Sequence, residues 1–206
     1  MRGTFISDFG GVLTSPISEG FLAYQEESNV SLEELGSAMA RAADDHGEHP
    51  LYALERGELT EREFAERLEQ QLPSGFSLTR LRELYFERLV PNAPMIGFAR
   101  SLRERGLRTA LLTNNVREWE PLWRAKLPEL DEIFEVVVDS AFVGLRKPDP
   151  RIYELTVERL GTEPGDCVFV DDLEVNCAAA RELGMAAVRF EDTGTAIAAV
   201  EAALES

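Results

Sequence analysis

After Pro91 short apolar runs alternate with longer amphipathic segments, and this alternation constrains the fold more than any other feature of the chain. Residues 107–112, 134–138, 167–170 and 186–188 are short and rich in Val, Leu, Ala and Phe, so they read as strands. Between and after them, residues 95–105, 117–126, 150–160, 174–183 and 193–204 read as helices. Gly106, Gly161 and Gly184 stand just past three of these helices, where a left-handed residue closes the last turn. Pro150 opens one, where its missing N–H is harmless. Residues 4–6 form a further strand that ends near Asp8 and must turn at Gly10-Gly11. Strands alternating with helices dictate βαβ units, hence a parallel sheet and an α/β class.

Residues 16–90 have a different character, with helical signals and no convincing strand. Residues 20–28 are expected to be helical. Ser31 with Glu34, and Thr60 with Glu63, have the spacing of capping boxes. Ser77 precedes a run containing Leu81, Leu84 and Leu89. The expected division is therefore a helical insertion, 16–90, within a core made of 1–15 and 91–206.

Ordinary globular composition, 44% hydrophobic and 29% charged over 206 residues, allows one domain carrying such an insertion. A net charge of −17 repels phosphate backbones and anionic membranes, so neither nucleic acid nor a membrane is an expected partner. Cys167 and Cys177 lie in apolar surroundings without a metal-ligand pattern, which suits reduced, packed thiols. With no signal-like h-region and no long apolar run, the expected location is cytoplasmic. The oligomeric state is not legible.

In parallel sheets ligands bind beyond the carboxyl ends of the strands. Asp8, Thr113-Asn114 and Asp171-Asp172 all follow strands, which brings them to one rim. A pair of carboxylates about 4 Å apart repels by roughly 4 kcal/mol at an effective dielectric of about 20, which protonation, separation or a cation must relieve. Hard carboxylate oxygens suit Mg²⁺. Lys147, in a Pro-rich turn before a helix, can hold a phosphoryl oxygen and the carboxylate nucleophile. Thr113 and Asn114 add hydrogen-bond donors. Gly10 and Gly11 let backbone N–H groups approach an anion. A carboxylate, a cation and a ring of donors is the set that phosphoryl transfer requires.

The segments Asp8-Phe9-Gly10-Gly11-Val12-Leu13-Thr14, Leu111-Leu112-Thr113-Asn114, Lys147-Pro148 and Val168-Phe169-Val170-Asp171-Asp172 resemble, in order and at family-like spacing, the four motifs of the haloacid-dehalogenase-like (HAD) hydrolases. The resemblance implies a Rossmann-like parallel sheet with helices on both faces and a small all-helical cap inserted after the first strand. It implies a Mg²⁺-dependent phosphatase acting on a small phosphorylated substrate through an aspartyl-phosphate on Asp8. Catalysis would fall to Asp8 and Lys147. Asp8, the Gly10 carbonyl and Asp172 would ligate the metal with Asp171 in support, and Gly10, Gly11, Thr113, Asn114 and Lys147 would bind phosphate.

The chain departs from the family at Gly10, where typical phosphatases carry the acid/base Asp. A good leaving group such as an anomeric phosphate, a cap residue or a water could compensate. The same Gly, with the sequence around Trp123, residues 128–130 and Arg146-Lys147-Pro148, resembles the subgroup of glucose-1-phosphate phosphatase and, more loosely, the N-terminal phosphatase domain of soluble epoxide hydrolase. Two other readings follow from Gly10: a 2-haloacid dehalogenase, which has no use for the Asp171-Asp172 pair, and a phosphate-binding pseudoenzyme. Elsewhere the simpler reading is preferred. Residues 44–49, which gather acids and both histidines, are expected to be a solvated loop rather than a metal site. Trp119, Trp123 and Tyr153 are expected in the core rather than lining a pocket.

Overall fold

The computed structural model describes residues 2–28, 30–72 and 77–206. In chain order it contains β1 (Thr4–Ser7), α1 (Ile17–Glu27), α2 (Leu32–His46), α3 (Pro50–Glu55), α4 (Glu61–Glu69), α5 (Leu78–Arg88) and α6 (Ala93–Glu104). There follow β2 (Arg108–Thr113), α7 (Glu120–Arg124), α8 (Leu130–Ile133), β3 (Val136–Asp139), α9 (Ser140–Val143) and α10 (Pro150–Leu160). The chain ends with β4 (Cys167–Asp171), α11 (Glu174–Glu182), β5 (Ala186–Arg189) and α12 (Thr193–Glu205).

Among the described residues the strands form one parallel sheet in the order β3-β2-β1-β4-β5. Each strand sends alternate side chains to opposite faces. Phe5, Leu111, Val168 and Val170 pack with Met95, Ala99 and Leu102 of α6 and Val200 and Leu204 of α12. Ile6, Ala110, Leu112, Cys167 and Phe169 pack on the other face with Ile152, Val157 and Leu160 of α10 and Ala180 of α11. Both faces are thus covered, so the strands read as continuous apolar runs rather than alternating ones. The chain leaves β1 toward β2 and β3, then returns to the far side of β1 for β4. The carboxyl ends of β1 and β4 therefore flank the crevice where the winding reverses, the usual ligand position in such sheets.

Helices α1 to α5 lie between β1 and α6. Both capping boxes form, with Ser31 and Thr60 accepting from the N–H of Glu34 and Glu63 and receiving the reciprocal contact. Ser77 caps α5 by accepting from Arg80 N, and its own N–H donates to Tyr24 Oη at 2.8 Å, tying α5 to α1. Phe9, Val12 and Leu13 join the hydrophobic core of these helices to that of the sheet.

Several local expectations are corrected. Asp44, Asp45 and His46 are not in a loop: they form the last turn of α2, which Gly47 closes at φ 79°. Thr113 and Asp171 are the last residues of their strands rather than the first residues beyond, because each keeps a ladder partner, Asp139 and Arg189 respectively. β3 starts at Val136 because Phe134 N–H is engaged by Leu130 O at the end of α8. Residues 117–126 divide into a 3₁₀ turn, Arg117–Trp119, and α7, with Pro121 in its first turn. The short helices α3, α8 and α9 span too few residues for periodicity to reveal them.

Asp139, at the end of β3, is buried and caps α9 by accepting from Ala141 N at 3.0 Å. Its other oxygen has no hydrogen-bond partner among the described residues. Burial pushes its pKa from 3.8 to about 6 against the effect of the Ala141 N–H. The folded chain therefore keeps a proton that the unfolded chain has already lost between these values. A raised carboxyl pKa makes stability fall as pH rises through this window, by on the order of 3 kcal/mol in all. Asp139→Asn keeps the acceptor for Ala141 and removes the charge. Urea unfolding is expected to find the variant more stable than the parent above about pH 6 and not below about pH 4. An equal or lower stability above that window would show that the carboxylate is compensated.

Candidate active site

Three carboxylates and one ammonium meet at the carboxyl ends of β1 and β4. Asp8 follows β1 directly, and its N–H donates to Val170 O at 2.9 Å, which fixes it against β4. Asp171 ends β4 and is fully buried. Lys147 arrives from the loop before α10, also buried, and its Nζ reaches Asp8 Oδ1 at 2.8 Å and Asp171 Oδ2 at 2.6 Å. Asp171 Oδ1 accepts from Leu173 N and Asn176 Nδ2, each at 2.9 Å. Both Asp171 oxygens are thereby engaged. Asp172 has no such set of partners and turns its carboxylate toward Gly11.

Electrostatics at this cluster follow from crowding and dehydration. Burial pushes the Asp8 carboxyl up to about 7; Lys147 opposes this, and Asp171 and Asp172 add to it. Burial, then the Asp171 charge, also raises Asp172. Burial works against the Lys147 ammonium, yet Asp171 and Asp8 overcome it and hold its pKa above the ordinary value. One cation thus faces three acids. Asp8, Asp171 and Asp172 each offer a carboxylate oxygen within 4.8 Å of the others. An excess of negative charge on clustered hard oxygens is the donor set that fits Mg²⁺.

Gly11 is explained by steric need. Its φ is +78°, and a Cβ there would sit 2.5 Å from Asp172 Oδ2. Gly10 has no such constraint: a Cβ would meet nothing within 4 Å, and its φ is not left-handed. Gly10 lines the cavity above the cluster, as do Thr113, Asn114 and Lys147. The Asn114 side chain is engaged with the Lys147 backbone, donating to Lys147 O at 3.0 Å and accepting from Lys147 N at 2.8 Å. It therefore positions the lysine.

The cavity, of about 440 Å³, lies between the rim of the sheet and the inserted helices. Sequence reasoning missed Arg146 and Glu55, which line it. Arg146 Nε donates to Glu55 Oε2 at 2.6 Å, and its guanidinium lies 4.0 Å from the centre of the Tyr52 ring. Burial raises the Glu55 pKa, with Arg146 opposing. The pair clamps α3 onto the loop that carries Lys147. Only the neighbourhood of Arg146 and Lys147 hinted at its position; nothing local marks Glu55. Trp119 is buried in the core as expected and also lines the cavity, while Tyr153 is fully buried and donates to Asn176 O. Trp123 is buried against Phe9.

Fold and site together define an α/β protein of parallel-sheet type with a lysine-bridged carboxylate cluster at the carboxyl rim of its sheet. A family model for haloacid dehalogenase-like hydrolases matches residues 3–184, and the chain belongs to that family. Rat (Rattus norvegicus) bifunctional epoxide hydrolase 2 is 27% identical over 210 residues, covering 94% of this chain and 37% of that protein. Phosphatase MT3486 of Mycobacterium tuberculosis is 33% identical over 137 residues, covering 64% of this chain and 62% of that protein. A HAD family enzyme of Bacteroides thetaiotaomicron, solved with magnesium and inorganic phosphate, superposes with a TM-score of 0.71 at 22% identity, covering 93% of this chain and 95% of that one. At that identity it shows the shared fold. The chain spans between 19% and 37% of the length of the first curated relatives it matches. No helix among the described residues is long and apolar enough to cross a membrane.

Removing the cation from this cluster leaves two buried carboxylates facing each other. Breaking a buried ion pair from one side typically costs about 3–5 kcal/mol. Lys147→Met is expected to lower the urea unfolding free energy by that order at neutral pH. A loss below about 1 kcal/mol, the range of exposed pairs, would show that Lys147 does not hold the acids together.

Proposed function

We propose that this hydrolase is a Mg²⁺-dependent phosphatase that cleaves a small phosphorylated metabolite through an aspartyl-phosphate on Asp8. The observation that carries the reading is the meeting of Asp8, Asp171 and Asp172 within 4.8 Å beside the buried Lys147. We divide the chain into a catalytic core, 1–15 and 91–206, and a helical cap, 16–90; the run of helices α1 to α5 supports that division. A cytoplasmic location is supported by two buried, free cysteines. The net charge of −17 disfavours nucleic acid as a partner, and the buried Lys147 supplies a local cation for a small phosphorylated one.

In this reading Asp8, the Gly10 carbonyl and Asp172 hold Mg²⁺, with Asp171 positioning Lys147 and supporting the site. When bound, the ion would neutralise charge on the phosphoryl oxygens and on the acids around it. An Asp8 carboxylate oxygen attacks phosphorus, the bond to the leaving oxygen breaks, and that oxygen takes a proton from solvent water and departs as an alcohol. Lys147, the Thr113 hydroxyl and backbone N–H groups near Gly10 and Gly11 hold the phosphoryl oxygens as charge builds. Water then attacks the aspartyl-phosphate, which releases inorganic phosphate and restores Asp8.

Asp8→Asn is expected to abolish phosphate release in a discontinuous phosphate assay while leaving the circular dichroism spectrum unchanged. Residual activity within about tenfold of the parent would remove the nucleophile role, since one acid or base contributes about 10²–10⁴-fold. EDTA is expected to stop turnover and Mg²⁺ to restore it.

Position 10 offers a second test. Because a side chain there meets no obstacle, Gly10→Asp can supply the acid that the chain lacks. The variant is expected to gain at least about tenfold in kcat on phosphates of poorly leaving alcohols and little on p-nitrophenyl phosphate, whose leaving group needs no proton. An equal gain on both would point to metal binding instead. The same Gly favours a second reading, a 2-haloacid dehalogenase. Chloride release from 2-chloropropionate without Mg²⁺, and no phosphate release from any ester, would establish it.

A further inference from the structure

We propose that the substrate is the phosphate monoester of an apolar alcohol, a linear or branched hydrocarbon chain rather than a sugar. The inference rests on the phosphatase reading above and adds a substrate class to it. The cavity over Asp8 is most polar at its floor, where Asp8, Lys147, Arg146 and the ends of the strands stand. The inserted helices face it with hydrocarbon. Phe21 comes from α1, Leu35 and Met39 from α2, Leu51 from α3, Phe64 from α4 and Leu81 from α5.

Among the described lining residues these helices add three polar side chains, Ser18, Glu55 and Tyr85. Glu55 is taken up by Arg146 at 2.6 Å. Tyr85, buried on α5, adds one hydroxyl. Ser18 lies exposed in the first turn of α1. A hexose entering this space would give up water on several hydroxyls and meet aliphatic side chains in return. Each hydroxyl buried without a partner loses on the order of tenfold in affinity.

A hydrocarbon chain gains where a sugar loses. Moving one methylene from water into such a lining contributes about fourfold. The volume of about 440 Å³ accommodates a chain on the order of ten carbons, if each takes roughly the ~30 Å³ of a water molecule and packing is loose. Two residues that line the cavity also reach the surface, Ile17 at 46% and Leu173 at 54% exposure, so an apolar border continues outward from the lining. The charge distribution fits the same class. The only cations among the lining residues are Arg146 and Lys147, both at the phosphate end.

The test is the specificity of the full chain with Mg²⁺ on straight-chain phosphates from ethyl to dodecyl, glucose 1-phosphate, glucose 6-phosphate and p-nitrophenyl phosphate. The expected result is a kcat/KM that climbs about two- to fourfold per methylene and levels off near ten carbons, with both sugar phosphates far below octyl phosphate. Met39→Trp narrows the cavity without adding charge and is expected to move the plateau to shorter chains. A flat series, or a sugar phosphate better than octyl phosphate, overturns the apolar class while p-nitrophenyl phosphate turnover keeps the phosphatase. If no ester is cleaved, the phosphatase reading has failed, and calorimetric binding of methyl- and decylphosphonate decides the cavity's preference. Decylphosphonate binding no tighter than methylphosphonate overturns the proposal; binding at least tenfold tighter sustains it.

Discussion

The Lys147 ammonium, buried between Asp8 and Asp171, is the contact on which the rest of the site depends. Two acids on neighbouring strand ends would otherwise repel across a dry crevice, and one of them would protonate or turn away. Lys147 lets both stay where the sheet puts them. Its own placement is over-determined. Asn114 brackets its backbone through two hydrogen bonds. Arg146 beside it is held by Glu55. The lysine therefore links three strand ends to the inserted helices through backbone and side chain together.

This arrangement leaves a surplus of one kind of charge. Asp171 is saturated by Lys147, Leu173 N and Asn176, so it behaves as scaffold. Asp8 and Asp172 carry what remains, and burial first, then the neighbouring acids, raises the pKa of both. Gly11 belongs to the same account, since only a residue without Cβ lets Asp172 approach so closely. Gly10 is free of that demand. Its lack of a side chain is therefore not a packing requirement.

Above the charges the environment changes abruptly. The floor of the cavity is made by strand ends, which present polar groups because a sheet cannot continue there. The roof is made by amphipathic helices whose apolar faces have no sheet to cover. Part of that apolar face closes the core through Phe9 and Leu13, and part remains as cavity wall. A polar floor and an apolar roof select an amphiphile by the same physics that folds the chain.

The sequence by itself determined the elements whose causes are local. The Gly and Pro punctuation of α10, both capping boxes, and the apolar runs of the strands act within a few residues. The parallel sheet then follows from connection lengths, and four short motifs identified the family. That Asp8 and Asp171 share one rim was also legible, because both stand at strand ends of one parallel sheet, whereas Lys147 joined them through its resemblance to a family motif. What only the tertiary structure decided has long-range causes. Glu55 meets Arg146 across ninety-one positions of chain, and no periodicity encodes that contact. That both Asp171 oxygens are engaged, by Lys147, Leu173 N and Asn176, likewise depends on a lysine brought in from another segment. That Trp119 both fills the core and walls the cavity depends on how closely α1 to α5 settle on the sheet. Local propensity fixes what a segment becomes; burial and charge shared among distant segments fix what its side chains face.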